Sequence, residues 1–154
     1  MKKFTVKENI SRLLKDEIFV FGSNLKGVHG KGSAKTAYLK FGAKLGVGEG
    51  LVGNTYAIPT KDKDLNPLSL DMIQLKILSF FNCCLLNKNK TFIVTRIGCG
   101  YAGYKDNQIA PLFSNSPDNV LLPEVWKLYL KENPYISSFL EYKIKGERHG
   151  DRWS

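Results

Sequence analysis

Four short runs of β-branched and aromatic residues occur along the chain, and segments with helical periodicity separate them. Runs of this length and composition are typical of buried strands. Apolar residues at helical spacing follow the first three runs, within 33–41, from about Ser69 and from Asp106. Strands that alternate with helices in this order predict an α/β sandwich rather than an all-α or all-β fold. The four runs are IFVF at 18–21, TYAIPT at 55–60, TFIVTRI at 91–97 and NVLLP at 119–123.

Several expectations concern the ends of these elements. Pro59 is expected to end the second strand, because proline cannot donate to a strand ladder. The segment GAKLGVGEGLVG at 42–53 holds five glycines and is expected to form either a flexible hairpin or a loop over a site. A terminal helix is expected from Glu124. Residues 143–154 are expected to be a loose tail on a single domain that spans 1–154.

The balance of charge limits the classes of partner. Lys and Arg number 23 against 14 for Asp and Glu, which gives a formal net charge of +9. A field of that sign attracts anions, and phosphate-bearing ligands are favoured as a class. The basic residues are spread along the whole chain, so an ordinary solvated basic surface explains the charge at least as well as a nucleic-acid footprint does.

Cysteine usage and apolar content indicate the compartment. Cys83, Cys84 and Cys99 are too few and too unevenly spaced for a disulfide framework, and a reducing cytosol fits them best. The charged N-terminal stretch has no apolar signal-peptide core. No window approaches the roughly 20 apolar residues of a membrane span. We therefore expect a cytoplasmic protein that has no membrane partner.

Two glycine-rich loops follow predicted strands and lead into predicted helices. The first loop, GSNLKGVHGKGSAK at 22–35, follows the first strand, and the second loop, GCGYAGYKD at 98–106, follows the third. Ligands of open α/β sheets bind at the carboxyl ends of strands, so both loops are expected to face one cleft. Glycines let backbone N–H groups converge on a phosphate, whereas a tight turn would explain either loop taken alone. Two loops in equivalent positions favour ligand binding.

Neither loop matches a known nucleotide fingerprint by spacing and context. GVHGKGS lacks the GxxxxGK[ST] arrangement of P-loop enzymes. GCGYAG fits GxGxxG, but it follows the third strand and lacks the acidic partner expected of a dinucleotide site. His29 and His149 are the only histidines, and no cluster with the cysteines or carboxylates has metal-ligand spacing. We expect neither a metal nor another cofactor.

The two loop segments resemble a known family. VFGSNLKGVHGKGSAKTA resembles the part of macro domains in which an Asn after a strand is followed by a glycine-rich loop and a helix of small residues. VTRIGCGYAGYKDNQIA resembles their later strand, glycine loop and helix, with an aromatic residue two positions before the last glycine. The resemblance covers about residues 18–122, and it is closest to short, divergent macro-like proteins of phages and bacteria. Two departures are SNLKG in place of NAAN and the lack of an acidic motif before the first strand.

The resemblance implies an α/β/α sandwich with a mixed central sheet. It implies binding of ADP-ribose or a related NAD-derived nucleotide, often with hydrolysis of a phosphate or an ADP-ribosyl bond. Asn24 matches the residue that contacts the distal ribose, residues 98–103 match the diphosphate loop, and Tyr101 matches the aromatic over the distal side. The ligand-binding residues expected from both loops are Gly22, Ser23, Gly30, Lys31, Gly32, Ser33, Arg96, Gly98, Cys99, Gly100, Tyr101, Ala102, Gly103 and Tyr104.

The polar side chains of these loops allow several chemical roles. The amide of Asn24 can hold a ribose hydroxyl or orient a water, and it can equally close an Asx turn. The imidazole of His29 can transfer a proton to a leaving group, although a histidine in such a loop more often bonds to backbone. Cys99 has no evident base beside it, and Asp106 is first of all a helix cap. Asn24 and His29 are therefore the catalytic candidates.

Three functions follow from these residues and from the resemblance. The first is a macro-type hydrolase that acts on ADP-ribose derivatives. The second is a non-catalytic reader or sponge of an ADP-ribose-type signalling nucleotide, which the missing acidic motif favours. The third is a nucleic-acid-binding protein, which the charge and the aromatic, basic C-terminal region suggest without any accompanying motif. The sequence does not indicate the oligomeric state.

Overall fold

The computed structural model describes residues 2–5 and 9–130, and these form a six-stranded sheet with surrounding helices. The strands are β1 (Lys3–Thr5), β2 (Glu17–Asn24), β3 (Gly50–Val52), β4 (Thr55–Lys61), β5 (Thr91–Val94) and β6 (Val120–Pro123). The α-helices are α1 (Gly32–Thr36), α2 (Leu70–Leu86) and α3 (Asp106–Ile109). A π-helical turn continues α1 over Ala37–Phe41, and 3-10 helices lie at Ala110–Phe113 and Glu124–Tyr129. The tail expected at 143–154 lies outside the described residues.

The strands are arranged in the order β1-β6-β5-β2-β4-β3. All neighbouring pairs are parallel except β3 and β4, which are antiparallel. β2 lies inside the sheet, with Phe19 opposite both Thr55 of β4 and Ile93 of β5. The carboxyl ends of five strands therefore lie along one edge of a mixed sheet, in the order β1, β6, β5, β2 and β4.

β2 divides the core into two clusters, because alternate side chains of a strand point to opposite faces. Ile18 and Val20 pack on one face with α2 and the later helices, whereas Phe19 and Phe21 pack on the other face with α1 and its π-helical turn. Helices thus cover both faces of the sheet. The predicted α/β/α sandwich with a mixed sheet is confirmed.

α2 is the longest helix, and it begins where the sequence pattern predicted. Ser69 caps it, because its Oγ accepts a hydrogen bond from the N–H of Met72 at 3.2 Å. Ile73 and Ile77 are fully buried against the sheet. Within residues 2–5 and 9–130, no helix combines the length and apolar content that a membrane crossing requires.

The structure corrects some of the predicted elements. The sequence indicated four strands, but β1 and β3 add two three-residue edge strands, and β3 forms a hairpin with β4. Pro59 does not end β4, which continues to Lys61. Pro59 lies beyond the last β3 pairing, at Ala57, and next to a register shift in β2, so its missing N–H is tolerated there. The segment from Glu124 is a short 3-10 helix.

Candidate functional site

A cleft of about 1130 Å³ runs over the carboxyl ends of the strands. Its lining includes Thr5 at the end of β1, Pro123 at the end of β6, Thr95 after β5, Asn24 of β2 and Lys61 of β4. Neighbouring strands lie about 4.8 Å apart, so the four intervals from β1 to β4 span about 19 Å. The cleft is therefore elongated, and its volume suits a cofactor-sized molecule.

The first glycine loop is held in place by its own side chains. The Nδ2 of Asn24 donates to the carbonyl of Val28 at 2.9 Å, and its Oδ1 accepts from the N–H of Val28 at 3.1 Å. The buried hydroxyl of Ser23 donates to the carbonyl of Gly48. The Nδ2 of Asn24 has a second N–H, and its Oδ1 has a second lone pair. This amide can therefore hold the loop in shape and also bond to a molecule in the cleft.

The ring of His29 lies in the core behind the first loop. The ring of Phe21 packs edge-on against the imidazole, with 5.4 Å between the two ring centroids. The side chain of His29 is buried, and the residue is only 3% exposed. Its Nε2 lies 2.9 Å from the carbonyl of Lys44, so Nε2 carries the proton. The buried Nδ1 has no partner among the described residues. His29 is not among the lining residues of the cleft, so proton transfer by this ring would require the loop to move.

The glycines of the second loop are of two kinds. Gly98 and Gly103 have positive φ angles of 76° and 83°, and a Cβ on Gly98 would lie 2.9 Å from Cδ1 of Ile109. Gly100 has no positive φ, and a Cβ there would meet no atom within 4 Å. Turn geometry therefore explains why Gly98 and Gly103 are glycines. It does not explain Gly100, which lines the cleft.

Four backbone N–H groups of the second loop donate to no acceptor among the residues that the structure describes. These N–H groups belong to Gly98, Gly100, Tyr101 and Ala102. All four residues line the cleft. Successive N–H groups in turn conformations form concavities that bind anions. The second loop therefore offers the cleft a set of donors suited to a phosphate or diphosphate.

An ion pair anchors the end of the second loop. Arg96 donates two hydrogen bonds to the carboxylate of Asp106, from Nε at 3.1 Å and from Nη2 at 2.6 Å. The indole N–H of Trp126 donates to the same carboxylate at 2.7 Å. The hydrogen bond from Arg96 is the main cause that holds the pKa of Asp106 below its usual range. Asp106 was expected to cap α3, but Lys105 occupies the N-cap position. The Asp106 side chain accepts hydrogen bonds from Arg96 and Trp126 instead.

The thiol of Cys99 lies under the same loop. Burial, followed by the nearby carboxylate of Asp106, raises the pKa of Cys99 to about 12. Its Sγ donates to the carbonyl of Ile97 at 3.5 Å. The thiol is protonated at neutral pH, so Cys99 is a poor nucleophile. No three His, Cys, Asp or Glu side chains in the described part of the chain lie together as metal ligands would.

Tyr101 joins the two loops over the outer end of the cleft. Its ring is held close to Gly32, where a Cβ would lie 3.1 Å from Cε2 of the tyrosine. The ammonium groups of Lys31 and Lys61 lie 5.6 and 5.7 Å from the ring centroid. A residue that sequence reasoning did not single out, Lys61, therefore belongs to the rim of the cleft.

Most of the expected ligand-binding residues line the cleft, and two do not. Gly103 and Tyr104 are outside the lining, and the hydroxyl of Tyr104 donates to the carbonyl of Leu68 at 2.6 Å. The cleft also includes Thr60 and residues 123–125, which the sequence analysis left out. The signal for both was present, because each lies at the carboxyl end of a predicted strand, and the rule about carboxyl ends applies to every parallel strand.

Comparison with known proteins identifies a structural relative. The chain matches no protein-family model and none of the curated proteins. Among solved structures it is similar to the macrodomain of Mycobacterium tuberculosis DarG, with a TM-score of 0.57 and 19% sequence identity. The match covers 80% of this chain and 97% of that chain. Sequence identity this low is informative about the fold alone, and we conclude that the chain has an α/β, macrodomain-like fold.

Proposed function

We propose that the chain binds ADP-ribose or a related NAD-derived nucleotide in the cleft and hydrolyses a phosphate or an ADP-ribosyl bond. The observation that carries this proposal is the set of second-loop N–H groups that have no acceptor in the described part of the chain, because a diphosphate is an anion that such groups hold well. The macrodomain-like fold supports the same ligand class. The net charge of +9 favours anionic ligands in general.

The proposed ligand lies along the row of strand ends. Its diphosphate rests against the open backbone at Gly100, with Gly30 of the first loop facing the same cleft and equally free of contacts. The distal ribose lies between Asn24 and Tyr101. In a hydrolase, the remaining lone pair on Oδ1 of Asn24 would orient the attacking water, and positioning would supply most of the rate enhancement.

A non-catalytic reader of the same nucleotide is the second candidate, and the placement of the titratable groups favours it. His29 lies behind the first loop. Glu124 is the only carboxylate residue lining the cleft among the described residues, and it lies at the β6 end, away from Asn24. A site without a base next to the reacting bond suits binding better than turnover.

Calorimetric titration of ADP-ribose and AMP tests the ligand and its placement. We expect ADP-ribose to bind more tightly than AMP, and Gly100→Val to weaken ADP-ribose binding by about tenfold or more, because a branched side chain would displace the diphosphate from charged hydrogen bonds. The melting temperature should stay unchanged, since no atom lies within 4 Å of the new Cβ. Full ADP-ribose affinity in the folded variant would contradict the placement.

Release of phosphate from ADP-ribose 1″-phosphate, and of ADP-ribose from ADP-ribosylated substrates, separates the two candidates. A hydrolase turns over at least one of these substrates. Binding of ADP-ribose without turnover of any of them would select the reader.

A further inference from the structure

The outer face of α2 is apolar and exposed in the described part of the chain. The opposite side of this helix packs on the sheet through Ile73, Ile77 and Phe80. A helix that is apolar on both sides is typical of one that is buried on both sides. Contiguous exposed apolar patches of this kind mark interaction sites. The large apolar side chains of the outer face are 42% to 77% exposed, and they are Met72, Leu75, Leu78, Leu85 and Leu86.

Asn82 lies at the centre of this face. Residues three and four apart are neighbours on a helix surface, so Leu78, Leu85 and Leu86 surround Asn82 together with Ser79. The Asn82 side chain is exposed and has no hydrogen-bond partner among the described residues. Its amide carries both donors and an acceptor, so a second copy of the same amide complements it. The face is therefore apolar, with one self-complementary polar group at its centre.

The charges of the chain indicate which kind of partner fits this face. α2 contains two charged residues, Asp71 in its first turn and Lys76, and Lys76 pairs with Glu49 at 3.1 Å. No charged residue lies between Lys76 and Lys88. Nucleic acids and anionic membranes are bound by Lys and Arg, which the outer face lacks. Two copies of a chain with a net charge of +9 repel each other, so they approach most easily through a face without charge.

The size of the face indicates a weak association. From Leu75 to Leu86 the helix is about 18 Å long and about 10 Å wide, which gives about 200 Å². Leu51 of β3 extends the apolar surface, because it pairs with Tyr56, whose ring packs 4.9 Å from that of Phe80 in α2. Stable complexes bury about 800 Å² on each partner, so a contact of this size corresponds to a micromolar dimer.

We propose that α2 packs against α2 of a second copy of this chain, across a two-fold axis at Asn82, and that the chain forms a homodimer. At such an axis the same residue of both copies meets. The two Asn82 amides exchange hydrogen bonds, and the leucines around them pack together. α2 contributes no residue to the lining of the cleft, so both clefts stay open in the dimer. Dimerisation is independent of the proposed function.

Sedimentation equilibrium of the full chain, at concentrations from about 5 to 500 µM, tests the dimer. The samples are the wild type, Asn82→Asp, Asn82→Lys, an equimolar mixture of these two variants, and the control Asn107→Asp, which makes the same change at an exposed position of α3. We expect the wild type and the control to dimerise with a Kd of about 10 to 100 µM. Each Asn82 variant should associate at least about tenfold more weakly, because like charges meet at the axis. The mixture should regain the association, since opposite charges then meet.

The comparison of these samples decides the outcome. A wild type that stays monomeric over the whole range would overturn the dimer and assign the face to another occupant, either a different protein or a part of this chain outside the described residues. A wild-type dimer that neither Asn82 variant weakens would overturn the contact at Asn82. Variants that are weakened but not restored by mixing would show that the two Asn82 side chains do not meet, and would overturn the two-fold arrangement. Circular dichroism checks that both variants are folded, as expected for an exposed position.

Discussion

The two glycine loops border the same cleft, but different forces hold them. The first loop depends on side chains, since the amide of Asn24 bonds to both polar groups of the Val28 backbone. The second loop depends on backbone turns, in which the N–H of Tyr104 donates to the carbonyl of Gly98 at 2.9 Å and that glycine has a positive φ. We therefore expect the first loop to be destabilised by the removal of a side chain and the second loop by the addition of one.

Each loop nevertheless contains a glycine with a negative or extended φ and open space where a side chain would lie. Gly30 and Gly100 have no positive φ, and a Cβ at either position would meet nothing within 4 Å. Both line the cleft. Under the proposed function, the close approach of a ligand, rather than a turn, would account for glycine at these two positions.

The largest expected effect is on the backbone-held loop. Gly98→Ala should lower the free energy of unfolding by about 3 kcal/mol, because an alanine there is forced into positive φ and its Cβ lies 2.9 Å from the Ile109 side chain. Urea unfolding measures this. The matched control, Gly100→Ala, should stay within about 0.5 kcal/mol of the wild type. Equal destabilisation by the two substitutions would break the distinction between turn glycines and open glycines.

The next effect is on the side-chain-held loop. Asn24→Ala removes both hydrogen bonds to Val28 and should cost about 1.5 kcal/mol in unfolding free energy. If the chain is a hydrolase, turnover should also fall by about a hundredfold, since the loop that orients the water is misplaced, whereas ADP-ribose affinity should fall much less. Asn24→Asp separates the two bonds, because it keeps the acceptor for the Val28 N–H and loses the donor to the Val28 carbonyl. A fully active Asn24→Ala variant would contradict this role.

The smallest effect concerns the ion pair that anchors the second loop. Asp106→Asn should cost about 1 kcal/mol at neutral pH, because the carboxylate that Arg96 and Trp126 hold becomes neutral. The lowered pKa of Asp106 means that its contribution is complete above the usual Asp pKa of about 3.9 and is lost as the pH falls through the lower folded value. Unfolding curves measured from pH 7 down to pH 2 should therefore converge for the two proteins. A stability difference that does not vary with pH would contradict the role of the charge.

The parts of the fold that the sequence predicted are those with a strong local pattern. β2, β4, β5 and β6 are short apolar runs, and Ser69 starts a helix with periodic apolar residues. β1 and β3 were missed because three residues at a sheet edge are too few to show a period, and their pairing is set by β6 and β4. Pro59 was misread because its tolerance depends on where the neighbouring strand ends.

In the candidate site, too, the sequence predicted local features but not long-range contacts. The two loops and their glycines were visible from sequence, because strand ends and turn residues are local features. The burial of His29 was not visible, since it depends on Phe21 and on the carbonyl of Lys44 across the fold. The partners of Asp106 and the approach of Lys61 to Tyr101 are also long-range contacts, and no local pattern encodes them.

The hydrogen bond between Trp126 and Asp106 makes the fluorescence of Trp126 an intrinsic reporter of the cleft. Trp126 is fully buried, and the carboxylate that accepts its indole N–H also holds Arg96, which lines the cleft. Indole emission responds to charge and hydrogen bonding at the ring nitrogen. A ligand that draws Arg96 toward itself would therefore alter the fluorescence of Trp126. With the other tryptophan, Trp153, replaced by phenylalanine, occupancy of the cleft can be followed without any attached dye.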